Sequence, residues 1–395
     1  MSPNPNLVCP CCRTPDVGVF YTADNVPVNS VLLLKTKHEA VHFPRGQIAL
    51  GLCSGCGFIY NTAFDPKLLE YSERYDPTQA YSGTFNAWHR ALAEKLVADY
   101  QLHNKKIVEI GCGKGEFLNM LCELGPNRGV GFDPSYNAER NTSDAKDRIE
   151  FIVDFYSEKY EQTQGDFVCC KMTLEHIADS RRFMDTVRRS VGEREDTVVF
   201  FQVPDVQRIL EETAFWDIYY EHCSYFSMGS LARLFQGSGF DVLGLGREYD
   251  NQYLMIDARP ALGTPKGLPS QANDLELLKE LTTAFVGRLA VQSREWIERL
   301  AGYNQQGKKV VVWGSGSKGV AFLTTLGVDS GIEFVVDINP HRQGFFMAGT
   351  GQQIVGPDFL KEYAPDVVVI MNPIYKDEIV RDLRARGLEP EVLTT

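Results

Sequence analysis

Val108-Glu109-Ile110-Gly111-Cys112-Gly113-Lys114-Gly115-Glu116-Phe117-Leu118 is the stretch that decides the fold. An apolar run meets three glycines at alternate positions, and a helical pattern follows. An α/β sheet uses such a turn to bring backbone N–H groups and a helix N-terminus against a nucleotide-like ligand. A second turn of the same kind, Val310-Val311-Val312-Trp313-Gly314-Ser315-Gly316-Ser317-Lys318-Gly319-Val320, lies about two hundred residues further on. Two such turns predict two nucleotide-type sites with a substrate held between them.

Working outward from the first turn, residues 105–258 alternate strand and helix. Strands are expected at 106–110, 128–132, 166–170, 197–202 and 241–247, with a late antiparallel strand at 251–257. Alternation of this kind predicts a largely parallel sheet with helices on both faces. Residues 259–273 are rich in Pro, Gly and polar residues and read as a linker. One long amphipathic helix is expected over 274–303. A second α/β unit follows, with strands at 309–313, 333–336 and 366–371 and a helix from about Lys376. Residues 66–104 read as mostly helical, with Trp88, Leu92, Leu96 and Val97 on one face of a helix over 86–100. The expected domains are 1–80, 81–260 and 261–395.

The length of 395 residues fits two or three domains with their own cores. The net charge of −12 argues against a nucleic-acid partner, whose phosphates need basic patches. No apolar run approaches a membrane span and no signal-peptide pattern opens the chain, so a cytoplasmic protein, monomer or homodimer, is expected.

Five of the ten cysteines crowd the N-terminus: Cys9, Cys11, Cys12, Cys53 and Cys56. Two Cys-x-x-Cys knuckles, Cys9/Cys12 and Cys53/Cys56, can supply four thiolates in a tetrahedron, the arrangement of a structural Zn²⁺ site. Cys11 competes with Cys9 or Cys12 as a ligand. Short strands at 47–53 and 58–61 would flank the knuckles.

At the first turn the spacing differs by one residue from the dinucleotide fingerprint. Glu109 precedes the glycines Gly111, Gly113 and Gly115, and Phe117 opens the helix. The next strand ends in Phe132-Asp133-Pro134, where a carboxylate can accept ribose hydroxyls. Val153-Asp154-Phe155 offers a polar and an aromatic group where an adenine could lie. The eleven residues from Val108 to Leu118 resemble the first motif of class I S-adenosylmethionine-dependent methyltransferases. The resemblance implies that the glycines pass under the methionine end of the cofactor, Asp133 holds the ribose, and Asp154 and Phe155 border the adenine. It also implies that Lys171-Met172-Thr173-Leu174-Glu175-His176-Ile177 lines the sulfonium.

Ile218-Tyr219-Tyr220-Glu221-His222-Cys223-Ser224-Tyr225 packs an acid, an imidazole and phenols into one short segment. An imidazole there can take a proton near neutral pH, with Glu221 as its orienting partner or itself the base. Here the whole chain resembles a narrower family, three-domain C-methyltransferases of nucleotide-linked keto-deoxysugars. These have an N-terminal zinc module, a class I Rossmann-like central domain and a C-terminal Rossmann-like domain. The resemblance places Tyr219, Glu221 and His222 in the acid/base set, with His176 as a further pocket residue. It also brings a linker tyrosine to the site, for which Tyr75 and Tyr81 both qualify. Gly-Cys-Gly-Lys-Gly and Gln202-Val203-Pro204-Asp205 depart from that family's sequences and bear on the sugar and the acceptor atom.

The second turn matches G-x-G-x-x-G in full, and Asp337 ends its next strand, a pattern that alone suggests NAD. Under the resemblance, Gly316, Ser317 and Lys318 would meet a diphosphate, with Asp337, Asn372 and Tyr375 around the nucleotide. The expected activity is C-methylation of a nucleotide-linked deoxysugar through an enolate, using S-adenosylmethionine. O- or N-methylation of a small metabolite, and a non-catalytic nucleotide-binding scaffold, are the competing readings.

Overall fold

Val310–Trp313 is apolar and buried at every position. A strand of that kind needs cover on both faces, which helices on each side of a parallel sheet provide. The computed structural model describes residues 7–72, 74–327 and 331–395 and arranges them around three sheets. β1 (Val17–Pro27), β2 (Arg45–Cys53) and β3 (Ile59–Asn61) pair antiparallel in the N-terminal module.

The central domain contributes β4 (Lys106–Ile110), β5 (Arg128–Phe132), β6 (Ile149–Ile152), β7 (Phe167–Lys171), β8 (Val198–Pro204), β9 (Ser224–Tyr225), β10 (Phe240–Glu248) and β11 (Tyr253–Pro260). Seven of these form one sheet in the order β6-β5-β4-β7-β8-β11-β10, with β11 antiparallel to its neighbours and the first five strands parallel. β9 leaves that sheet and pairs with β3 instead, Ile59 opposite Tyr225. The C-terminal domain has β12 (Val310–Trp313), β13 (Ile332–Val336), β14 (Gln353–Val355), β15 (Val367–Ile370) and β16 (Glu391–Thr394), all parallel, in the order β14-β13-β12-β15-β16.

In both parallel sheets the strand order reverses beside the first strand, β4 or β12. A crevice opens at the carboxyl end of the strands at such a switch point, and that is where ligands of α/β sheets bind. Each glycine turn follows that first strand, so each sits at its sheet's switch point.

Two differences from the sequence reading matter for the site. The helix expected over 86–100 runs Gly83–Asp99, capped by the Ser82 hydroxyl accepting from Phe85 N–H at 3.1 Å. Ahead of it, the described residues of 69–82 are not helical, and a short turn, Pro66–Leu68, precedes them. This stretch is bonded to both flanking modules: Asp76 N–H donates to the Val31 carbonyl at 3.1 Å, and the Asp76 carbonyl accepts from Arg342. This segment is a strap between domains. The sequence reading also passed over the two-residue β9 and over β1, β6, β14 and β16. β1 alternates irregularly because register shifts interrupt its pairing with β2, and the others are two to four residues long.

The three modules share apolar contacts. One cluster runs from Val26 and Ile48 through Phe285 and Trp296 of the helix Leu275–Gln305 to Val310 of β12.

Candidate active site

The Sγ atoms of Cys9, Cys12, Cys53 and Cys56 lie within 4.8 Å of one another, Cys9 to Cys56 at 3.7 Å and Cys12 to Cys53 at 3.5 Å. Four thiolates bonded tetrahedrally at about 2.3 Å would stand close to these separations. The knuckle is shaped by its backbone: Gly57 N–H donates to the Cys53 carbonyl at 2.8 Å and Cys53 N–H to the Phe58 carbonyl at 2.9 Å. Cys11 is buried outside the group of four.

A cavity of about 1200 Å³ lies between the two switch points and is walled by all three modules. At the first turn Gly111 takes φ +73°, and a Cβ there would overlap the Thr173 hydroxyl, so only glycine fits. Gly113 takes φ +55° with open space where a Cβ would stand. That space forms the cradle for a ligand. Asp133 accepts from Gly113 N–H at 2.9 Å, Ser135 N–H at 2.8 Å and the Ser135 hydroxyl at 2.7 Å. Three of a carboxylate's roughly four acceptor positions are thus filled, leaving one toward the cavity. Glu109 is buried in the wall with Oε2 unpartnered, and burial pushes its carboxyl up to about 7. An incoming ammonium group would give that oxygen a partner.

Phe117, Pro134, Met172, Thr173, Asp154 and Phe155 also reach the cavity. Asp154 is half-buried at its rim and engaged with Tyr160 at 2.7 Å and Lys159 at 3.0 Å. Gly115 does not line it; at φ +87° it caps the helix Glu116–Leu124 against Phe151. His89, which the sequence reading did not name, stands here beside Lys171 of the segment expected to line the sulfonium. Lys171 Nζ is 2.6 Å from His89 Nε2 and 3.9 Å above the Phe117 ring, and burial lowers its pKa.

Deeper in, two imidazoles meet edge to face, the rings of His176 and His222 4.8 Å apart. Each carries a phenol: Tyr219 Oη is 2.9 Å from His222 Nε2, and Tyr71 Oη is 3.0 Å from His176 Nδ1. Burial pulls His176 down to about 4 and His222 well below the ordinary histidine value, so both rings are neutral at pH 7. The linker tyrosine on His176 is therefore Tyr71. Tyr75 packs edge-on against Tyr71 at 5.0 Å, and Tyr81 sits at the mouth beside His341. Nothing in an aperiodic segment with several tyrosines distinguishes the inward one.

Glu221 does not face the cavity with His222. It turns to the N-terminal module, where its carboxylate accepts from Ser30 N–H at 3.1 Å and from the Ser30 hydroxyl. Adjacent residues in an extended turn point to opposite sides, which separates the two. The carboxyl on the cavity side is Glu175, buried, with Oε1 3.9 Å from His222 Nε2.

Across the cavity, the second turn is already tied into the protein. Lys318 pairs with half-buried Asp217, which also holds Arg208 at 2.9 Å, so its charge is neutralised within the chain. Asp337 accepts from Ser315 and from Asn339 N–H at 2.8 Å, and Arg342 lies 3.5 Å from it. Asp337 thus has its charge offset within the chain by Arg342. Asn372 forms a reciprocal amide pair with Gln252, at 3.0 and 3.1 Å, and Tyr375 bonds Tyr249 and Gln79 at 2.7 Å each. Gly316 and Ser317 line the wall between these groups.

Residues 84–245 match the family model of a methyltransferase domain, and residues 272–388 match that of a C-methyltransferase C-terminal domain. The chain is an S-adenosylmethionine-dependent methyltransferase with a C-methyltransferase-type C-terminal domain. C-methyltransferase NovU of Streptomyces niveus is 28% identical to this methyltransferase over 295 residues, 69% of this chain and 68% of the relative. CalO1, a methyltransferase in calicheamicin biosynthesis solved in its SAH-bound form, aligns at 19% identity and TM-score 0.36, over 44% of this chain and 54% of that one. An O-methyltransferase family protein of Burkholderia thailandensis aligns at 16% identity and TM-score 0.35, over 45% and 60%. The fold of the methyltransferase rests on its own strand order and on the two family matches. Among the described residues, no helix is long and apolar enough to cross a membrane.

Proposed function

We propose that this methyltransferase transfers a methyl group to the carbon beside the keto group of a nucleotide-linked deoxysugar. The observation that carries the reading is the pair of neutral imidazoles, each bonded to a phenol, on a cavity wall between the two glycine turns. Proton removal from carbon needs an unprotonated base, which for an imidazole is its neutral form, and both imidazoles are in that form.

S-adenosylmethionine, when bound, supplies the methyl group as an electrophile. Glu109, Gly111, Gly113 and Asp133 would hold it. A keto group acidifies the neighbouring C–H. Tyr219 takes that proton while passing its own to His222 Nε2, and the electron pair moves into an enolate. Tyr71 on Nδ1 fixes the His176 ring in the same wall. The sugar is fixed from the other side, with its nucleotide against Gly316, Ser317, Asn372 and Tyr375. Holding both reactants in line supplies much of the acceleration in such a reaction. Cys9, Cys12, Cys53 and Cys56 hold a structural Zn²⁺.

The test is transfer of labelled methyl to a thymidine-diphosphate-linked keto-deoxyhexose, followed by product analysis. A new carbon–methyl bond is expected. A methyl on oxygen or nitrogen overturns the reading.

A further inference from the structure

Among the carboxyls named so far, Glu175 is the one with both oxygens buried and without a hydrogen-bond partner. Glu221 has Ser30, Asp217 has Arg208 and Lys318, and Asp133 has Gly113 and Ser135. Glu175 is 1% exposed, and neither of its carboxyl oxygens has a hydrogen-bond partner. It stands in the turn Leu174–His176 directly after β7 and lines the cavity. His222 faces it at 3.9 Å, too far for a hydrogen bond. His176, Tyr71 and Tyr219 share that wall, and the thiols of Cys170 and Cys223 lie behind it. Among the described residues no Lys or Arg is paired with it.

We propose that Glu175 donates the hydrogen bond that holds the enolate oxygen, acting as an un-ionised carboxylic acid. The assignment rests on the C-methylation reading above. A carboxylate without partners in this wall would be a buried, uncompensated charge, and such a group keeps its proton instead. Burial pushes the Glu175 carboxyl up to about 8, in the same direction. A carboxylic acid kept neutral is a donor in a place where an anion develops, a known device for enolates. When the proton leaves carbon for Tyr219 and His222, the carbonyl π electrons move onto oxygen, and the Glu175 O–H points at that oxygen. When the new C–C bond forms, the carbonyl returns and Glu175 still holds its proton. The sequence reading placed Glu175 within the segment expected to line the sulfonium and gave it no role of its own.

Glu175→Gln keeps a donor of the same size but cannot ionise, while Glu175→Ala removes the donor. With the thymidine-diphosphate-linked keto-deoxyhexose as acceptor, the alanine variant should lose about 10²–10³-fold in kcat, the scale of removing one oxyanion donor. The glutamine variant should stay within about tenfold of the wild type. Wild-type kcat should fall as pH rises through about 8, where the donor ionises, and the glutamine variant should lack that fall. S-adenosylmethionine affinity, measured by calorimetry, should be unchanged in both, which excludes misfolding. Without any acceptor, the infrared difference between wild type and Glu175→Gln at neutral pH should contain the C=O stretch of a protonated carboxyl. Equal activity of the alanine and glutamine variants, or the absence of that band, overturns the assignment. If the wild-type product carries its methyl on oxygen or nitrogen, the C-methylation reading itself has failed, an outcome separate from a C-methylated product with an indifferent Glu175.

Discussion

The hydroxyl of Ser30 lies 2.7 Å from that of Ser317 and also reaches the Glu221 carboxylate. Ser30 belongs to the N-terminal module, Glu221 to the catalytic segment and Ser317 to the second glycine turn. Three domains therefore meet on one hydroxyl. Ser30→Ala leaves part of that contact unsatisfied in a buried setting and should cost about 1–3 kcal/mol of stability. Denaturant unfolding checks it, and a midpoint equal to the wild type would show that the contact is idle.

Asp133 has one acceptor position open toward the cradle under Gly113. Asp133→Ala should weaken S-adenosylmethionine by about 1–3 kcal/mol, the scale of a hydrogen bond to a charged group. Calorimetry with the cofactor alone decides it. Unchanged affinity would place the ribose elsewhere.

His222→Ala and Tyr219→Phe should each lower kcat by about 10²–10⁴-fold with cofactor affinity nearly intact. Because burial holds His222 well below the ordinary histidine value, its ring stays unprotonated through the neutral range. The acid limb of kcat/KM should accordingly fall below the usual histidine region. A limb at the ordinary position would mean that another group is the base.

Burial raises Glu109 and Glu221 to about 7 and Glu175 to about 8, from an ordinary 4.5. The folded chain keeps protons there that the unfolded chain releases, so their contribution is full below 4.5 and lost as pH rises through 7 to 8. His89 and His176 work oppositely, lowered to about 2 and 4 from 6.5, and their effect is complete once pH exceeds 6.5. The melting temperature should therefore fall between pH 6.5 and 8, and Glu175→Gln should make the fall shallower. A scanning-fluorimetry series that is flat over this range would contradict the buried carboxyls.

Freshly purified protein should carry about one Zn²⁺ per chain, lost in a Cys53→Ser, Cys56→Ser double variant. Elemental analysis reads this directly.

What the sequence disclosed was local. Each glycine turn sits between an apolar strand and a helix within about a dozen residues, and Asp133 and Asp337 each end the very next strand. The four cysteines fall in two short spacings. What it concealed depended on contacts distant in the chain. Lys318 looks like a free cation until folding sets Asp217 against it, 101 residues away. Glu221 and His222 look like a dyad until the turn sends Glu221 to Ser30, 191 residues off. Tyr71 gains its meaning only from His176.

The pairing of β3 with β9 has a mechanical consequence. Ile59 and Tyr60, just past the Cys53 and Cys56 knuckle, pair with Tyr225 and Ser224, and Asn61 N–H donates to the Cys223 carbonyl at 2.9 Å. His222 is the next residue upstream. The cysteine cluster is thus the anchorage of a tether whose far end is His222. Cofactor capture, resting on β4 and β5, has no share in that tether. Slackening the anchor should leave a protein that still takes up its methyl donor but has lost the fixed point against which to use it.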